Sequence, residues 1–405
     1  MKIFSSPKTL VLADQAVFSG TGFLLTMLLA RHLNVSDFGA YSAIVLVVYL
    51  AVSAISAWTS QVFQVAADRT KIYISFVFWI QVILVLLVVL ALKTMQYIFS
   101  FQMLSFACLF GMGFVFYDFG RKILLTLDRP FDVLVLNIFT SSLMIFAFII
   151  FKYQDSRNTN DVLLYFSCVY LLSFLYILYL VRPFVFHLKL FKSYVSNHVN
   201  QGKWLFATAV SQWWAGNLFV VASGFYLGTA ALGALRLGQS IFGVLNVLLQ
   251  SFENYILPQA ALKMQYNQSS GIHYLRGMNQ KLAFVFIPVL FLIFIFSSFL
   301  ISLAGGENYT KYSFVLKGLG ILYIFIFLSQ PVRFMIRSLQ MNNHFFYAYF
   351  LSLVFAFLTS GRLISGFGLY GVIAGLIGSQ LVLMVYLSII LKLKNINLWK
   401  SSTSF

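Results

Sequence analysis

Apolar residues run in membrane-length blocks along this chain of 405 residues, separated by short polar breaks. At about 20 residues per crossing, the blocks predict about twelve helical spans. They lie near 11–30, 40–66, 73–92, 97–117, 132–151, 162–181, 204–228, 232–258, 282–303, 313–331, 345–364 and 369–391. In hydrocarbon each backbone N–H and C=O needs a partner within the protein, which leaves helices or closed barrels. Runs this continuous lack the alternation of barrel strands, so the predicted fold is all-α and polytopic. The longest internal break, RPFVFHLKLFKSYVSNHVNQGKW, divides the spans six and six. This gives an N-terminal lobe at 1–181, a cytoplasmic linker at 182–203, and a C-terminal lobe at 204–405 ending in a short basic tail.

The eighth block departs from uniform apolarity in a regular way. Arg236, Gln239, Gly243, Asn246, Gln250 and Glu253 recur at steps of three or four residues. On a helix they share one face over about 25 Å, most of a bilayer's hydrocarbon thickness. A mid-membrane arginine facing lipid costs about 2.5–3.5 kcal/mol, so the face is expected to line a protein-walled aqueous path. The second block shows a weaker counterpart in Ser42, Tyr49, Ser53, Ser56, Ser60 and Gln64. A shift of 194 residues aligns Leu33 with Leu227, Gly39 with Gly233 and Ala40 with Ala234, and brings the two polar faces into register. The halves therefore read as parallel repeats about an axis along the membrane normal. Small polar stripes also hold helices together, so for the second block packing is an equal alternative.

Composition agrees with the pattern: 61% of residues are hydrophobic and only 9% charged, with a mean hydropathy of +0.90. A soluble domain carries roughly 25% charged residues. The formal net charge is +17, yet no basic domain stands apart from the spans, so nucleic acid is not an expected partner. With both termini cytoplasmic, about nineteen of the 27 lysines and arginines fall on the inner side, as the positive-inside rule requires. Beside anionic lipid these charges act as topology determinants. Cys108 and Cys168 lie within apolar blocks, without metal or redox spacing, and read as core residues. Asp14 interrupts the first apolar block, which is read as an uncleaved first helix.

Catalytic signatures are missing. The chain contains no GxxxxGK[ST], HExxH or GxSxG and no clustered His/Cys ligands, so no enzyme activity, metal or cofactor is expected. Arg236 is the sharpest candidate for binding: a planar guanidinium in a partly dehydrated cavity suits phosphate oxygens. The competing reading is an arginine that reaches the outer interface or pairs structurally. Arg31 is a second candidate, or an interface anchor. Gln239, Asn246 and Gln250 extend the polar path. Trp213 and Trp214 could stack on sugar rings, although in a chain with 46 Phe core packing explains them as well. Asp14 and Glu253, near the inner ends of their helices, are candidates for coupling to an ion gradient. Each could instead reach cytoplasmic water or pair with a basic residue.

The segments LLARHLNVSDFGAYSAI and LGALRLGQSIFGVLNVLLQSFENYILPQAA, with the length and the six-plus-six layout, resemble bacterial polysaccharide and O-antigen flippases. These belong to the multidrug/oligosaccharidyl-lipid/polysaccharide exporter superfamily. The resemblance implies a two-lobed bundle working by alternating access in the bacterial inner membrane. It also implies an oligosaccharide on undecaprenyl pyrophosphate as cargo, with Arg236 and then Arg31 as the cationic residues that receive the carrier. Membrane lipid and polysaccharide polymerase machinery are the expected partners of a monomeric protein. A cation-coupled multidrug exporter of the same superfamily is the alternative. A membrane polymerase or ligase would need a larger outer loop than the roughly ten residues at 152–161.

Overall fold

In a computed structural model the described parts of the apolar blocks are almost wholly α-helix, and no strand occurs among the described residues. Those residues are 7–396, apart from 67, 100–105, 155, 157, 186, 187 and 340. The helices are α1 (Pro7–His32), α2 (Val35–Trp58), α3 (Ser60–Val65), α4 (Lys71–Phe99), α5 (Ala107–Thr126), α6 (Pro130–Tyr153) and α7 (Thr159–Val181). They continue with α8 (Leu188–Leu227), α9 (Thr229–Tyr266), α10 (Gln268–Ile295), α11 (Ser297–Gly305), α12 (Ser313–Ser338) and α13 (Asn342–Leu393). Short polar signals set their ends. The Asn34 side chain accepts from the Asp37 amide at 2.8 Å and so caps α2, and Asn158 does the same for α7 from Asn160 at 3.0 Å. Pro130 occupies the first turn of α6, where its missing N–H costs nothing.

Among the described residues ten helices are long and apolar enough to cross a membrane. That count takes Asn343–Leu393 as one, although its 51 residues make two crossings. Gly368, at φ 56° and ψ −134°, breaks it between the two predicted spans; a backbone of this kind is open to glycine and strained for other residues. The count also omits α5, whose 20 residues include Asp118, Arg121 and Lys122. With both adjustments the ten become about twelve crossing-length segments.

Several expected boundaries move. The third block continues to Phe99 because Thr94 bonds back to the Leu90 carbonyl at 2.9 Å, keeping the polar Lys93–Thr94 step helical. The fourth span, expected at 97–117, lies at Ala107–Thr126. Residues 188–203 of the expected linker are the first turns of the 40-residue α8. Cys168 is exposed rather than in the core, since α7 turns its opposite face, with Phe166, Val169 and Tyr170, inward.

The chain forms two compact units, residues 1–213 and 214–405. In the first, α5 packs on α7 and α1 on α6. Glycines permit the α5–α7 approach: a Cβ at Gly113 would lie 2.6 Å from Tyr170 Cβ, and one at Gly120 2.5 Å from Ile177 Cδ1. The first turns of α8 dock on α2 and α4. Tyr194 stacks on Tyr73 at 4.3 Å, and buried His198 touches the Tyr73 hydroxyl at 2.8 Å and the Trp58 carbonyl at 2.7 Å. In the second unit α12 packs on α9, α10 and α13. Phe242 of α9 stacks on Tyr323 at 4.5 Å, Phe286 of α10 on Phe327 at 4.8 Å, and Gln380 of α13 donates to Ser329 at 2.7 Å.

Candidate functional site

Helix α9 carries two stripes that explain each other. Leu235, Phe242, Leu245, Leu249, Ile256 and Ala260 are buried and hold the helix in the core of the second unit. One residue further on, about 100° round the helix, comes the polar series. Arg236, Gln239 and Gly243 are half-buried, while Asn246 and Gln250 are exposed. Within the second unit the polar face is thus only partly covered, with Asn246 and Gln250 the exposed positions. Glu253 lies on the same helix, but its side chain is outside the described residues.

At the N-terminal end of this face the Arg236 guanidinium donates from Nη1 to Gln239 Oε1 at 3.0 Å, and Ser240 donates to the Arg236 carbonyl at 2.9 Å. The one-turn contact holds the arginine along the helix surface. Asn246, ten residues further along the helix than Arg236, lies within hydrogen-bonding reach of the Tyr323 hydroxyl. Arg31 stands exposed in the last turn of α1, next to His32, which contacts the Ser156 carbonyl at 2.8 Å. Trp213 and Trp214 are half-buried on α8, the last residue of the first unit and the first of the second along the chain. Among the described residues no group of three or more His, Cys, Asp or Glu could hold a metal ion.

The polar series of the second block, which the break at Thr59 divides between α2 and α3, differs from that of α9. Ser42, Ser56 and Ser60 are buried in the first unit, so packing accounts for them, and only Tyr49 and Gln64 of that series are exposed.

Asp14 belongs to a network that residue patterns alone did not reveal. It is fully buried and accepts from Arg121 on α5, with Nη2 at 2.6 Å and Nε at 3.2 Å. Its other oxygen accepts from the Asn137 side-chain amide on α6. The Tyr117 hydroxyl donates to the Asn137 carbonyl oxygen, and Arg121 Nη2 also reaches Gln15 Oε1 at 2.9 Å. The guanidinium lies 4.4 Å over the Phe18 ring. Arg121 lies beyond the fourth expected span at 97–117, yet it stands on a helix, only 12% exposed. The available signal was the spacing of Asp118 and Lys122, which pair at 2.6 Å across one helical turn and mark this charged stretch as helical.

These features define a polytopic helical protein with the fold of the multidrug/oligosaccharidyl-lipid/polysaccharide exporter superfamily. A structure described as lipid II flippase MurJ in an inward closed conformation matches with TM-score 0.72 and 12% identity, over 95% of this chain and 87% of that one. An inward-facing multidrug resistance MATE family transporter of the MOP superfamily matches at 0.66 and 14% identity, over 99% and 97%. A superfamily transporter from Pyrococcus furiosus, described as having a binding pocket of reverse polarity, matches at 0.54 and 12%, over 98% and 94%. At sequence level the chain belongs to the polysaccharide biosynthesis protein family, whose model matches residues 28–314. No curated protein matches the chain by sequence.

Proposed function

We propose that this protein is a flippase for a lipid-linked oligosaccharide, an O-antigen, capsule or exopolysaccharide repeat unit on a polyprenyl pyrophosphate. It moves this cargo from the cytoplasmic to the outer leaflet of a bacterial inner membrane by alternating access, with both termini cytoplasmic. The family and the transporter-type fold support the class, and the arginine-headed polar face of α9 carries the choice of cargo. In this reading Arg236 receives the pyrophosphate, with Arg31 as a second contact near the outer end. Gln239, Asn246 and Gln250 offer exchangeable hydrogen bonds to sugar hydroxyls, and Trp213 and Trp214 offer aromatic faces. The protein acts as a monomer and hands its product to polysaccharide polymerase machinery.

Removing one charge-assisted contact costs about 1.5–3 kcal/mol, roughly ten- to a hundred-fold in affinity. Arg236→Ala is therefore expected to abolish most surface polysaccharide in cells lacking their own flippase, while Arg236→Lys, a point charge without the planar fork, restores part of it. Full display by the Ala variant at matched protein level would remove Arg236 from the mechanism. A multidrug exporter is the second reading, favoured by the fold likeness to MATE transporters. It predicts drug resistance on expression and unchanged surface polysaccharide.

A further inference from the structure

The cluster around Asp14 is built like a cation site, and it is already filled. Two oxygen atoms from α1, Asp14 Oδ2 and Gln15 Oε1, face the Arg121 guanidinium; the other Asp14 oxygen accepts from the Asn137 side-chain N–H on α6, whose amide oxygen accepts from the Tyr117 hydroxyl on α5. Such hard oxygen donors suit a desolvated monovalent cation. The positive charge that neutralises them is Arg121, anchored on α5, which gives Asp14 two N–H donors and sits over Phe18. Asp118, the acidic residue of α5 itself, is held by Lys122 at 2.6 Å.

We infer that Arg121 is the resident counter-ion of this site. It stands where a soluble sodium ion would stand, so Asp14 does not couple transport to sodium. The transport consequence rests on the reading proposed above; the occupancy of the site does not. Taking Arg121 away leaves a buried carboxylate with oxygen neighbours and no positive charge, and an ion from solution then has both the room and the reason to bind.

The test reads ion binding rather than cargo movement, so its failure is distinct from failure of the flippase reading. Purified protein in nanodiscs is melted at pH 8 across a titration of sodium chloride, with choline chloride holding ionic strength constant. The wild type and Arg121→Lys are expected to melt at a sodium-independent temperature. Arg121→Ala is expected to melt lower in choline and to recover with saturable dependence on sodium, and Asp14→Asn/Arg121→Ala is expected to lose that recovery. Absence of any sodium response in Arg121→Ala would show that the oxygens do not form a cation cage. Where this variant does not accumulate, wild type against Asp14→Asn decides: two flat titrations support Arg121 as the resident ion. A saturable rise in the wild type that Asp14→Asn abolishes overturns it.

Discussion

Gly113 and Gly120 act as spacers whose effect is measurable. A methyl group at Gly113 meets the Cβ of Tyr170, an atom fixed to the α7 backbone that no rotamer change can move. At Gly120 it meets the branched end of Ile177, which is stiff about χ1 but can be shortened by substitution. Overpacking typically costs about 1–3 kcal/mol. Gly113→Ala is thus expected to lower the melting temperature more than Gly120→Ala, and adding Ile177→Ala is expected to rescue the second variant only. Equal losses without rescue would show that the two helices adjust as rigid bodies. At this scale the sequence was informative for α9, where each polar residue announces a face by its spacing. It was uninformative for Asp14, because Arg121 lies 107 positions away and Asn137 123 positions away. No local pattern carries a pairing of that separation.

Among the elements, α5 shows why span ends slipped. An apolar window stops at Tyr117 because charges follow, yet the helix continues to Thr126, since Asp118 and Lys122 satisfy one another and Arg121 is neutralised from α1. The docked start of α8 offers a pH test. Its Tyr194 hydroxyl donates to Asp68 at 2.6 Å, and the Thr70 amide donates to the same carboxylate at 2.8 Å. Burial pulls the Asp68 carboxyl up, but these hydrogen bonds and the charge of Arg69 outweigh it and leave the group below its ordinary value. A carboxyl depressed on folding stabilises above its unfolded pKa and loses that contribution as pH falls through the folded one. Amide exchange over 190–200 is therefore expected to be insensitive from pH 8 to about 5 and to quicken below about 4, after correction for the intrinsic rate. Asp68→Asn is expected to remove the step; its persistence would assign it to another group.

For the molecule as a whole, apolar block length revealed the all-helical, polytopic fold class, because a bilayer imposes one dimension on every crossing. It did not reveal that 188–203 continues into α8 or that the serine face of α2 is packed, since both depend on neighbours distant in sequence. The proposed orientation makes a direct prediction in a background lacking Cys108 and Cys168. Single cysteines at Asn158 and Thr310 should react with an impermeant maleimide from outside intact cells, and those at Asp128 and Asn267 only after permeabilisation. The opposite pattern would invert the protein in the membrane. The Arg121–Asp14 pair also bears on energetics at this scale. Being neutral as a unit, it does no electrical work however far it shifts within the membrane field. On the proposed reading, a diphosphate-bearing lipid leaving a negatively polarised cytoplasm gains about 2.3 kcal/mol per charge for each 100 mV, so the resting voltage would itself draw such a cargo outward.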